Sequence, residues 1–184
     1  ADHARRYFDR HRMGLDLHLF PDMNAARKAY LAGECQVLTS DHTQLHGLRV
    51  AMDAGRDHRI LPEVISKEPL SPAVREGDGR WFDIVRWTLF VMIDAEELGI
   101  DSRNVKRAQE DAKAADTRLL LDVEGKVAKA LGLDKDWVIR VIGQVGNYGE
   151  IYERNLGAQS PLMIKRGYNA LWNDGGLLYA PPPR

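Results

Sequence analysis

With 184 residues and 20.8 kDa, the chain is long enough to bury a sizeable core and fits one ordinary domain or two small lobes. Its 26 basic and 27 acidic residues leave a formal net charge of −1, which excludes nucleic-acid binding driven by bulk charge, and 44% hydrophobic with 29% charged residues reads as globular. The most apolar stretch, Trp87 to Ile93, is bounded by Arg86 and Asp94 and falls far short of the roughly 20 residues a membrane span needs.

The amino-terminal ADHARRYFDRHRM lacks the apolar segment of an export signal, so any such signal is expected to be removed or to lie outside this sequence. Ala4 to Met13 is patterned as a helix that stops at Gly14, and Leu15, Leu17 and Leu19 alternate with polar residues as a strand does. Asp22 or Asn24 is placed to cap a second helix whose Ala26, Ala29 and Tyr30 share a face, and Gly33 is placed to end it. A strand from Cys35 to Thr39 and a helix through Leu45, Leu48 and Met52 follow. This α-β-α-β-α order predicts a parallel sheet with helices on its faces, and ligands of such sheets bind beyond the carboxyl ends of the strands. Asp41 stands at such an end, where a short carboxylate either caps the next helix or faces a ligand cation.

From Ile60 the pattern changes. Pro62, Pro69 and Pro72 with two short β-branched runs predict extended segments that connect two lobes. Beyond Gly79 the chain reads as nearly all helix. Trp81, Val85, Leu89 and Met92 recur at i, i+4, i+8 and i+11 as one apolar face, and Gly99 ends that helix. Ser102 to Ala114 reads as a charged, exposed helix, and a long helix from Asp134 onward aligns Trp137, Val141, Val145 and Tyr148. Gly143, Gly146 and Gly149 interrupt it at every third residue; each interior glycine costs ~1 kcal/mol against alanine, so together they predict a close backbone approach or a break. Their spacing is not G-x-G-x-x-G and no strand precedes them, so a dinucleotide fingerprint is a poor reading and no cofactor is expected. The terminal GGLLYAPPPR is expected to run extended along the surface.

Catalytic patterns are weak throughout. His42 and His46 are one helical turn apart, but Thr43 stands where a zincin carries glutamate, so they read as a surface pair and no metal is expected. No serine sits in G-x-S-x-G. The adjacent carboxylates Glu96 and Glu97, and Glu110 and Asp111, read as solvated faces. Cys35 is the only cysteine, which rules out an intrachain disulfide, and it reads as a small buried hydrophobe.

Several longer strings carry a resemblance: Tyr7-Phe8, the G-x-C-x-x-x-T-x-D run at Gly33 to Asp41, LPEVISKEPLSPAVREGD, WFDIVRWTLFVMIDAEELGI, VGNYGEIYERNLG, SPL, RGYNALW and GGLLYAPPPR. Together they resemble the periplasmic general L-amino-acid-binding proteins of ABC uptake systems, over essentially the whole chain. The resemblance implies an α/β fold of periplasmic-binding-protein type II, two hinged lobes closing on an amino acid, of which this chain is the C-terminal portion. Residues 1–57 would then be the remainder of the second lobe, 58–75 the interlobe crossing, and 76–184 the C-terminal part of the first lobe with a helical extension. It further implies that Asp41 holds the ligand ammonium, that Thr39 and Ser40 line the cleft, and that the groups clamping the ligand carboxylate lie upstream of this sequence. A cysteine upstream would pair with Cys35. Gln36 departs from the acidic residue expected at its position.

The function so implied is the substrate-binding component of a periplasmic amino-acid transporter. Its partners would be an L-amino acid, the membrane permease subunits, and the missing N-terminal segment or a second copy, with no nucleic acid. Two alternatives stand beside it: a dehydratase-like periplasmic enzyme on the same fold, which needs an acid/base pair converging on the cleft, and a truncated interaction module that binds no solute.

Overall fold

The structure, a computed structural model, describes residues 1–52, 57–67 and 69–183. The ends of the expected lobe and tail at 53–56 and 184, and residue 68 of the crossing, lie outside these. The chain divides into two compact units, Ala1–Ser71 and Pro72–Arg184.

The first unit holds α1 (Asp2–Arg10), α2 (Met23–Leu31) and α3 (His42–Val50). Asp22 caps α2 by accepting from the Ala25 N–H at 2.8 Å, and Gly33 at φ +78° takes the left-handed turn after it, a backbone that glycine adopts without a side-chain clash. Tyr30 of α2 meets His58 at 2.8 Å between its hydroxyl and Nδ1. The two predicted strands are not realised as a sheet. Residues 15–19 and 35–39 carry no ladder among the described residues, and Leu19 and Val37 are 64% and 67% exposed. The reason is physical: period-two patterning makes a strand only when a neighbouring strand takes its N–H and C=O groups. The helix-rich result therefore departs from the expected α/β alternation.

In the second unit α4 (Gly79–Glu97) packs against α6 (Ala115–Leu120), α7 (Lys126–Leu131), α8 (Trp137–Val145) and α9 (Tyr148–Asn155), while α5 (Val105–Glu110) packs against α6 and α8. Asp78 caps α4 through the Trp81 N–H at 3.0 Å. Val91 and Ala95 of α4 pack into a core with Val105, Leu120, Val138 and Ile142, while Ile93 faces a second, smaller cluster with Leu171 and Ala180. α4 thus buries two faces rather than the single predicted one, and Trp81, at the start of the predicted stripe, is 52% exposed. No helix among the described residues is long and apolar enough to cross a membrane.

Further expectations are corrected. The charged helix is confined to α5, six residues long. The predicted long helix from Asp134 breaks at Gly146, at φ +95°, into α8 and α9, as the glycine spacing anticipated. A capping box restarts it: the Glu150 N–H donates to Asn147 Oδ1 and the Asn147 N–H to Glu150 Oε2, both at 2.9 Å. Glu150 also accepts from Ser102 N–H and Oγ at 3.0 and 2.6 Å. Burial pushes its carboxyl upward, but these bonds outweigh burial and hold it below the usual range. Gly149 answers a close approach, since a Cβ there would stand 2.8 Å from the Glu96 carboxylate.

Glu96 and Glu97 are not solvated as expected. Arg166 binds Glu96 through two nitrogens at 2.9 and 3.1 Å and lies over the rings of Tyr148 and Tyr152, and Trp172 Nε1 donates to Glu97 at 3.1 Å. These contacts fix the segment 166–172 to α4. The tail is extended after Leu178, but Ala180 and Pro183 are buried rather than lying on the surface.

Candidate functional site

Thr39, Ser40 and Asp41 occupy the junction between the extended residues 35–39 and α3. The Leu45 N–H donates to the Asp41 backbone oxygen at 2.9 Å, so Asp41 holds the N-cap position that its sequence context predicts. Its side chain does not do the capping: the carboxylate accepts no cap hydrogen bond and is exposed.

The other aspartates at helix N-caps make the contrast sharp. Asp22 and Asp78 each accept a backbone N–H from the first turn. Asp136 makes no cap bond but pairs with Arg140 at 3.1 Å. Among the described residues, Asp41 has neither. The neighbouring Gln44 does not complete a capping box either. It stands at N3, from which a glutamine can reach back to the N-cap backbone in a capping box. Here the Ser40 hydroxyl donates to the Gln44 side-chain oxygen instead. Sequence reasoning passed over Gln44, although the D-x-x-Q spacing of Asp41 and Gln44 was the available signal.

Thr39 is exposed and Ser40 half-buried, so all three expected site residues gather on one short turn. Such a turn can offer a carboxylate and a hydroxyl to a cationic or hydrogen-bonding group, with the carboxylate further favoured by the positive end of α3. Cys35 is half-buried rather than enclosed, and its thiol is free. His42 and His46 follow Asp41 on α3 with ring centroids 4.6 Å apart. Elsewhere, two open depressions of the second unit, of about 310 and 280 Å³, are lined by surface charges such as Arg107, Asp111 and Lys113, and by Lys135 and Asp136. Neither brings together an acid and base with an unpaired buried polar atom.

No protein-family model matches the chain. It is 49% identical over 178 residues to YhdW of Escherichia coli strain K12, a protein named for amino-acid ABC transport, covering 97% of this chain and 52% of that protein. It is 48% identical over 179 residues to the general L-amino acid-binding periplasmic protein AapJ of Rhizobium johnstonii, again covering 97% of this chain and 52% of that protein. Among solved structures, an ABC transporter/periplasmic binding protein from Brucella ovis with glutathione bound is 46% identical, with a TM-score of 0.88, over 99% of this chain and 57% of that one. The resemblance read from the sequence therefore holds: these homologues are binding proteins of amino-acid ABC transporters. The chain spans about half the length of the curated relatives it matches.

Proposed function

We propose that this chain is part of the substrate-binding component of an amino-acid ABC uptake system, working in the periplasm and not as an enzyme. Two α/β lobes joined by a hinge close on an L-amino acid and deliver it to the membrane permease. In this reading residues 1–57 belong to one lobe, 58–75 cross between lobes, and 76–184 belong to the other. Residues 15–19 and 35–39 become strands when the remaining length of the protein, or a second copy, supplies their neighbours.

The observation that supports the reading most is the Asp41 carboxylate, which stands at a helix N-cap without a partner among the described residues, in a chain this similar to amino-acid-binding proteins. An amino acid presents an ammonium, and a carboxylate meeting it in a cleft that closes against water forms a charge-assisted hydrogen bond in the setting where such bonds are strongest. Thr39 and Ser40 line the cleft beside it. Groups for the ligand carboxylate come from the part of the protein outside this chain, as does a cysteine to pair with Cys35.

Asp41→Asn in the full-length protein tests the assignment. The substitution keeps the size and removes the charge. Losing one partner of a desolvated charged hydrogen bond costs ~2 to 5 kcal/mol, or roughly 30- to several-thousand-fold in affinity. Calorimetric titration with a panel of L-amino acids is expected to show that loss at an unchanged melting temperature, and native affinity in the variant removes Asp41 from the site.

A further inference from the structure

Two nitrogens of the first unit, Arg27 Nε and His58 Nε2, are buried without a hydrogen-bond partner among the described residues. Both belong to one neighbourhood. Arg27 and Tyr30 stand at i and i+3 on α2, positions that share a helix face, and the Tyr30 hydroxyl meets His58 Nδ1 at 2.8 Å with the ring centroids 5.3 Å apart. Tyr30 is thus flanked by a guanidinium and an imidazole. When its hydroxyl donates to Nδ1, the ring carries its proton on Nε2, so Arg27 and His58 each present a buried N–H that lacks an acceptor. Arg27 has no ion pair among the described residues. A buried N–H without an acceptor has lost its water and gained nothing in return, so two at one place call for a group that accepts from both.

We propose that Arg27, Tyr30 and His58 form a binding site for a small carboxylate anion. One carboxylate oxygen accepts from Arg27 Nε–H and the other from His58 Nε2–H, and the bond to the guanidinium is of the charge-assisted kind that exceeds a bond between neutral groups. Arg27 supplies the positive charge. Tyr30 is a positioning residue, whose hydroxyl selects the imidazole tautomer and holds the ring without touching the anion. The three side chains are half-buried rather than enclosed, which strengthens the bonds through partial exclusion of water and leaves an approach from solvent. The effect is mechanical: the bound anion ties α2 to the segment beyond α3 that carries His58. The site uses none of the residues assigned to the ligand ammonium, so it stands or falls independently of the transport reading.

The test is a titration of the 184-residue chain with formate, exchanged for chloride at constant ionic strength, followed by calorimetry and by the histidine ring resonances. One saturable event per chain is expected, with the largest ring shift at His58. Arg27→Gln and His58→Gln each lose roughly tenfold or more in affinity, because one of two donors to a charged group is gone. Tyr30→Phe keeps both donors and loses less. Lys28→Gln removes the same charge as Arg27→Gln from the neighbouring exposed position and is expected to bind formate as wild type does, which separates a site from general attraction to a cationic helix. Glutamine is about as good a helix former as arginine or lysine, so these two variants are expected to keep the wild-type far-ultraviolet spectrum. The His58 resonance of the unmodified chain needs no variant and keeps the test decisive where a variant unfolds. No saturable binding by wild type, shifts confined to other histidines, or an equal loss in Lys28→Gln overturns the site.

Discussion

The two units of this protein solve the burial problem to different degrees. In the second, Val91, Leu120, Leu121, Val138 and Ile142 are almost wholly removed from water, and even its polar groups are organised, with Asn147 bonded at once to Glu150 and to the Ile100 carbonyl. In the first, Ala4 and Ala29 are the buried apolar residues among those described, while Leu19, Val37 and Val50 remain half exposed or more. The difference follows from how each unit pairs its backbone. Helices satisfy their own N–H and C=O groups, so the second unit needs only side-chain packing between neighbours, whereas the extended segments of the first need partner strands before their alternating side chains acquire an inside.

The largest expected effect separates the units by core truncation. Leu120→Ala, at 1% exposure, is expected to cost ~2 to 5 kcal/mol in the melting of the second unit, while Val37→Ala, at 67% exposure, stays within ~0.5 kcal/mol in the same chain. Comparable losses in chemical denaturation would break the comparison.

The next concerns pH. Asp94 is 8% exposed on α4, its Oδ2 lacks a partner among the described residues, and burial together with Glu97 pushes its carboxyl up to about 7 from 3.8. A raised folded value means that the native state keeps a proton which the unfolded chain releases. The contribution is therefore fully present below about pH 4, is lost as the pH rises towards 7, and is constant above, with a slope of at most ~1.4 kcal/mol per pH unit. Asp94→Asn is expected to flatten this slope, measured as melting temperature of the second unit against pH from 4 to 8. An identical slope in the variant assigns the dependence to other groups.

The smallest effect sharpens the contrast at the helix caps. Asp78→Ala removes a side-chain bond to the Trp81 N–H and is expected to cost ~1 kcal/mol, whereas Asp41→Ala removes no cap bond and is expected to cost no more than a few tenths of a kcal/mol. Equal losses in urea denaturation would mean that the Asp41 carboxylate does cap α3 in solution.

Local rules were legible where the chain satisfies them within a few residues. Asp22 and Gly33 bracket α2, Gly99 follows α4 at φ +66°, and the glycine triplet foretold the break at Gly146 and the close approach at Gly149. The site was legible as a position, since Asp41 is the N-cap its surroundings predict. It was not legible as a set of contacts: Ser40 taking Gln44 depends on which of two competing side-chain bonds forms, and D-x-x-Q spacing permits either.

By itself, the sequence determined the start of α2 at Asp22, its end at Gly33 and the break between α8 and α9, because caps and glycines act over short distances along the chain. Only the tertiary structure decided that Glu96 and Glu97 bind Arg166 and Trp172, partners 70 and 75 residues away, and that residues 15–19 and 35–39 run without a ladder among the described residues. An ion pair or a strand requires a second segment brought near by folding, and spacing within the first segment cannot specify whether that segment arrives.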